Sequence, residues 1–226
     1  MALIGLGNSL GAGGEEKSLR LAIFGATGGT GLALTRQALE HGHAVRVLVR
    51  NPNRMTVTHA NLRVVLGNAL DRESVTKTLL GSDAALVCLG QRTLLKNTRV
   101  VSQGTRLIME VMRTMGLKRL VFESAFGVGG SLADASGWQR AVFATLLRAP
   151  YADKNIIEPE IAKSGLDWTI LRPTALTNGP LTGKVEIAVG LRPKTFRISR
   201  EDVAREMLRA VEEKKWVGAA PSLTGA

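Results

Sequence analysis

One cysteine, Cys88, and one tyrosine, Tyr151, occur in 226 residues, beside three tryptophans and five phenylalanines. A lone cysteine excludes an internal disulfide framework and fits a reducing compartment. So few aromatic residues leave little stacking surface for bases, and the Arg and Lys are scattered rather than run together, so no nucleic-acid partner is expected. No apolar run approaches the roughly 20 residues of a bilayer span, so no membrane association is expected either. The opening "MALIGLGNSLGAGGEEKS" has no basic n-region and its apolar stretch is short and broken by glycine, unlike a signal peptide. Glu15 and Glu16 speak against a transit peptide, and a cytoplasmic location is the expectation. Acidic residues are also scarce, 19 against 30 Lys and Arg, for a net charge of +11. That balance favours anionic partners without choosing among them.

What is present is a strict alternation of segments. Apolar runs stand at 19–25, 44–50, 62–67, 84–90, 119–124 and 166–173, several nearly continuous in Val, Ile and Leu, as strands covered on both faces should be. Helical patterns lie between them. Over 97–116, Val100, Leu107, Ile108, Val111 and Met115 form a stripe, with Gly104 and Gly116 closing the helix. Over 199–214, Ser199 is the expected N-cap with Asp202 three residues on, and Val203, Met207, Leu208 and Val211 form the buried stripe. Such alternation implies parallel strands joined by right-handed crossovers. The expected fold is a single doubly wound α/β domain of Rossmann type, with helices on both faces, over 18–226. Substrate-covering elements come from its C-terminal third. Residues 1–17, where "GLGNSLG" mimics a nucleotide loop with no strand before it, are expected to be a flexible leader.

The stretch "LRLAIFGATGGTGLAL" places Gly25, Gly28 and Gly31 where a strand hands over to a helix. One glycine allows a tight turn, another a close approach of backbone to a pyrophosphate, and a third close helix–strand packing. The diphosphate then sits at the helix N-terminus. A P-loop would need Gly-Lys-Ser/Thr, and "GGTG" has no lysine. The second strand ends "VLVRNPNR", with Arg50 and Arg54 and no carboxylate, a pattern that suits the 2′-phosphate of NADP(H).

Together "GATGGTG", "LVRNP", "GNALD", "ESAFG", "SGLDWTILRP" and "PLTG" resemble the atypical short-chain dehydrogenase/reductases with an NAD(P)H-binding domain, nearest to the biliverdin reductase B/flavin reductase branch. The resemblance covers residues 19–212. It implies Gly25, Thr27, Gly28, Gly29, Thr30 and Gly31 as the pyrophosphate loop, and Arg50 and Arg54 as the 2′-phosphate site. It places Asn68 and Ala69 at the adenine, and Leu89, Gly90 and Arg92 along the groove after the fourth strand. Ser124, Lys154, Pro173 and Thr174 surround the nicotinamide end, with Ser124 and Lys154 as the catalytic candidates.

Besides Asn68, which stands where the family usually has an acidic residue, three positions depart from the family. The usual Tyr-x-x-x-Lys is absent: Pro150 stands four before Lys154 and Tyr151 three before, so a Tyr151/Lys154 proton-transfer pair stays open. Thr174 replaces the His of the flavin reductase branch, and Glu123 stands where a small residue is expected. The implied activity is NADPH-dependent reduction of a flat conjugated acceptor (flavin, quinone or tetrapyrrole) by a monomer or weak dimer. The rival readings are a non-catalytic NADP(H) sensor of the NmrA-like kind and, ranked last, a nucleotide-sugar isomerase or epimerase. Cys88 is expected to be a core thiol. Trp138 and Phe143 are expected in the core or in a lid. His41, His43 and His59 lack a Cys or Glu at ligand spacing, so no metal site is expected.

Overall fold

The computed structural model describes residues 18–90, 99–145 and 147–226. In chain order the elements are β1 (Arg20–Phe24), α1 (Gly29–Glu40), β2 (Ala44–Val49), β3 (Leu62–Leu66), α2 (Arg72–Leu79), β4 (Ala84–Val87), α3 (Val100–Thr114), β5 (Arg119–Glu123), α4 (Gly137–Thr145), α5 (Arg148–Ala162), β6 (Asp167–Pro173), β7 (Ala175–Thr177), β8 (Val185–Ala188), β9 (Arg197–Ser199), α6 (Arg200–Glu212) and β10 (Ser222–Gly225). The main sheet runs β3-β2-β1-β4-β5-β6-β10-β8. Its first six strands are parallel and are the six apolar runs of the sequence. β10 adds in parallel to β6, and β8 closes the edge antiparallel to β10. β7 and β9 form a separate two-stranded parallel ribbon.

Apolar side chains alternate between the two faces of β1: Leu21 and Ile23 join the layer under α1 and α6, whereas Ala22 and Phe24 join the layer under α2, α3 and α5. This two-sided burial is the doubly wound arrangement. A third, aromatic cluster of Phe126, Phe143, Phe196 and Tyr151 lies beneath α4. The order of strands reverses between β1 and β4, and ligands bind at the carboxyl ends of strands at such a point.

Three expectations are corrected. β3 is not covered on both faces, since Val64 and Leu66 are exposed on an edge strand. The buried stripe of α3 keeps Ile108 and Val111 of the expected set and adds Val101, Met109 and Met112, whereas Val100 and Leu107 are half-buried and Met115 falls at the exposed C-cap. Gly104 lies inside that helix rather than ending it; a Cβ there would press on Leu89 and Ala69 at 3.1 and 3.3 Å, so glycine lets α3 approach the end of β4. Asp153 of α5 supplies the missing cap of α3, accepting from Val101 N at 3.0 Å and Ser102 N at 3.3 Å. In α6, by contrast, Ser199 caps as expected and Val203, Met207, Leu208 and Val211 are all buried.

α1 packs onto the end of β1 through Gly31. A Cβ at Gly31 would overlap the Gly25 carbonyl oxygen and come within 2.8 Å of Ala26 Cα, both backbone atoms that cannot swing aside. Gly31→Ala is expected to destabilise by about 1–3 kcal/mol, the usual range for overpacking. Thermal unfolding should show a midpoint lower by several degrees; an unchanged midpoint contradicts this packing.

Candidate functional site

The site begins at the turn from β1 to α1. Gly25 has φ of +85°, and a Cβ there would strike the Cys88 carbonyl, whose carbon would lie at 2.6 Å. Only glycine meets both conditions. Gly28 is the N-cap of α1 and donates its N–H to Gly25 O at 2.9 Å. The helix has no side-chain cap and no acidic residue in its first turn. Its leading N–H groups and the positive end of its dipole therefore have no side-chain acceptor, the condition under which a helix terminus takes an anion.

A groove of about 260 Å³ opens beside this turn. Gly25, Thr27 and Gly28 line it from the β1–α1 turn, Arg50 and Arg54 from beyond β2, Asn68 and Ala69 from beyond β3, and Leu89 and Gly90 from beyond β4. Asn51 accepts from Asn53 N at 3.0 Å and so fixes the short turn Pro52–Arg54 that carries Arg54. Arg50 and Arg54 are exposed and make no ion pair among the described residues. Asn68 Oδ1 accepts from Leu70 N at 3.1 Å, which leaves it one further lone pair. Arg92 and the leader 1–17 lie outside the described residues.

The other end of the site is formed by β5, β6 and α5. Ser124 follows β5, is 2% exposed, and its Oγ has no hydrogen-bond partner among the described residues. Lys154 Nζ donates to Ser124 O at 2.8 Å and Glu123 O at 3.3 Å, tying α5 to the strand end. Tyr151 turns away: its hydroxyl donates to Phe126 O at 2.8 Å among the aromatic cluster, and burial pushes its phenol well above the usual value. Pro173 O accepts from Phe126 N at 2.8 Å. Thr174 is buried and donates to Thr224 Oγ1 of β10 at 3.0 Å, so its hydroxyl is engaged inside the fold. Phe143 is core, whereas Trp138 is 63% exposed against Phe196. Cys88 is buried against Met207, and burial raises its thiol pKa.

Glu123 is the residue whose role the sequence did not disclose. It ends β5 with 7% exposure, and Thr30 Oγ1 of α1 donates to its Oε1 at 2.9 Å. Burial pushes its carboxyl above the ordinary value, and the attraction of Lys154 and the bond from Thr30 recover only part of that. Burial likewise lowers the Lys154 pKa. Gly29 and Thr30 thus stand at the first turn of α1 outside the groove lining, with Thr30 committed to β5. The departure from a small residue at 123 hinted at a special contact; only the crossing of α1 over β5 shows which.

These residues fit a dinucleotide. The cradle at Gly25 and Gly28 leaves room where a Cβ would intrude, the α1 terminus is uncapped, two unpaired guanidiniums mark one end of the groove, and an orphaned hydroxyl stands beyond the other. Fold and site together define a Rossmann-type dinucleotide-binding protein. The family model for NAD(P)H-binding proteins matches residues 25–214, and the chain belongs to that family. Its relatives include the "uncharacterized sugar epimerase YhfK" of Bacillus subtilis, 30% identical over 91% of this chain and 94% of that protein. Reductase pytE of Aspergillus terreus is 25% identical over 90% of this chain and 97% of its own. Among solved structures, ChuY of Escherichia coli O157:H7, described as an anaerobilin reductase, superposes with a TM-score of 0.75 at 24% identity, covering 91% of this chain and 97% of its own.

The fold also brings Glu212 of α6 to the two histidines of the α1–β2 turn, a carboxylate that sequence spacing did not reveal. His41 Nδ1 and His43 Nε2 meet Glu212 Oε1 at 2.7 and 3.0 Å. Arg205 donates to His41 Nε2, and Leu19 N to His43 Nδ1. Donors on the far nitrogens put the ring protons on the nitrogens facing Glu212. A metal there would need the opposite tautomers, so the cluster is a clasp between the turn and α6.

The raised pKa of Glu123 has a consequence for stability. A carboxyl whose folded pKa exceeds its unfolded one contributes fully below the ordinary value of 4.5, and that contribution is lost as pH rises through the folded pKa. Glu123→Gln keeps an oxygen for Thr30 and removes the titration. The melting temperature of this variant relative to wild type is expected to rise between about pH 4.5 and neutrality. Melts in a buffer series check it, and a constant difference contradicts the assignment.

Proposed function

We propose that the protein is an NADPH-dependent reductase that passes hydride to a flat conjugated acceptor such as a flavin, a quinone or a tetrapyrrole. The observation that carries this reading is the commitment of the lone tyrosine. With the Tyr151 hydroxyl bonded to Phe126 O and its phenol pKa raised, no phenol stands ready beside Lys154 to protonate a carbonyl oxygen. Conjugated acceptors need little acid catalysis from the protein. The hydride is what the cofactor supplies when bound. The chain's own groups bind and orient: Gly25, Thr27 and Gly28 at the diphosphate, Arg50 and Arg54 at the 2′-phosphate, and Lys154 holding the end of β5 near the ribose. Ser124 Oγ is free to bond the carboxamide or the acceptor.

The name of one relative points to epimerase chemistry, which commonly uses a tyrosine beside the lysine; the orientation of Tyr151 disfavours it here. A sensor without turnover uses the same groove. Purified protein is expected to oxidise NADPH, followed by its absorbance, with flavins or quinones far faster than with small aliphatic ketones. Tyr151→Phe should leave kcat within a few-fold. Ser124→Ala should lower kcat/KM roughly ten-fold, the effect of one hydrogen bond of about 1.4 kcal/mol. A collapse of kcat in Tyr151→Phe restores the Tyr/Lys pair. No turnover with any conjugated acceptor, alongside tight NADPH binding, supports the sensor.

Cofactor choice is tested separately. Replacing both Arg50 and Arg54 by Ala should weaken NADPH binding by about 2–4 kcal/mol, less than two full charge-assisted bonds to phosphate at roughly 1.5–3 each, because both side chains are exposed. NADH binding should change little in the same titration, because NADH has no 2′-phosphate. Equal weakening of both contradicts the role of these arginines.

A further inference from the structure

Arg200 is the first residue of α6, and its side chain lies across the start of α1. A Cβ built on Gly29 would overlap Arg200 Cδ and come within 2.8 Å of Arg200 Nε, so the guanidinium is an immediate neighbour of the glycine turn. Its hydrogen-bond partner is a neutral one, Asn178 Oδ1 at 2.6 Å, and it makes no ion pair among the described residues. It lies close enough to the buried Glu123 to favour the ionised carboxylate.

Its position runs against the stability of its own helix. A cation in the first turn meets the positive end of the dipole, where an anion is preferred. The next two residues, Glu201 and Asp202, obey that rule. Asp202 accepts from Thr182 N, Gly183 N and Thr182 Oγ1, each at 2.9 Å, and so pins the segment that also carries Asn178. Burial opposes ionisation of Asp202, but the bonds from Ser199, Gly183 and Thr182 outweigh it and hold its pKa below the ordinary value. The first turn of α6 thus fixes the 178–183 segment through Asp202 and directs a cation at the α1 terminus through Arg200.

We propose that Arg200 is a diphosphate-binding residue of the cofactor site, opposing the α1 N-terminus from the α6 side. The assignment rests on the dinucleotide reading above and extends it to a residue outside the glycine turn and the 2′-phosphate arginines. On binding, the guanidinium exchanges or shares its neutral Asn178 partner for a phosphate oxygen, a charge-assisted bond.

The test uses the full chain and equilibrium titrations with NADPH, NADH and 2′-AMP. Arg200→Gln is expected to weaken NADPH and NADH by a similar factor, about ten-fold or more, and to leave 2′-AMP, which has no diphosphate, unchanged. Its NADPH affinity should also fall less steeply with added salt than that of wild type. The melting temperature should change little, since relief of the unfavourable charge at the helix terminus offsets the lost attraction to Glu123. Arg200→Lys, which keeps a charge, should recover part of the affinity. Unchanged affinity for both dinucleotides, or a loss confined to NADPH, overturns the assignment. A wild type that binds no dinucleotide overturns the dinucleotide reading, and this assignment with it, before the variant is made.

Discussion

The close approach of backbone to backbone at the β1–α1 turn is the constraint on which the rest of the structure depends. Gly25 touches the Cys88 carbonyl, and Gly31 touches the Gly25 carbonyl, with no room for a side chain at either place. Two consequences follow from one steric condition. α1 sits directly on the end of β1, which closes the layer shared with α6. The uncapped terminus of α1 is also brought over the point where the strand order reverses. Close packing and an open helix terminus are two effects of the same missing Cβ atoms.

Around that turn, charge is distributed unevenly and for separable reasons. Glu123 is enclosed beneath the first turn of α1, where burial raises its pKa and Thr30 bonds it. Lys154 and Arg200 stand on two other sides, one from α5 and one from α6. A buried carboxylate so close to an anion site is an electrostatic liability unless cations flank it, and here they do. The same arrangement holds α1, β5, α5 and α6 to one another beside the uncapped terminus of α1.

The lone tyrosine illustrates how a motif can be present in sequence and absent in space. Tyr151 and Lys154 are neighbours on one helix, yet the phenol enters the aromatic cluster with Phe126 and Phe143 while the ammonium reaches the end of β5. Three residues apart instead of four turns the ring roughly 100° away from its usual side of the helix. Chemistry that relies on a phenol is disfavoured by that rotation, and chemistry that relies on positioning alone is not.

Periodicity and glycine spacing by themselves determined the six parallel strands, the helix N-cap at Ser199 and the strand–turn–helix at Gly25 to Gly31, because each is encoded by residues adjacent in the chain. The free arginines at 50 and 54 were legible for the same reason, lying at the tip of a strand whose end faces the groove. The extent of the α3 stripe was not, since how much of that helix is buried depends on Leu89, Ala69 and Asp153 from other elements. The partnership of Thr30 with Glu123, the clasp of His41 and His43 on Glu212, and the placement of Arg200 over Gly29 span between about 90 and 171 residues of chain. Contacts at such separations carry no local signal. They exist only because the crossovers bring α1, β5 and α6 to the same corner of the sheet.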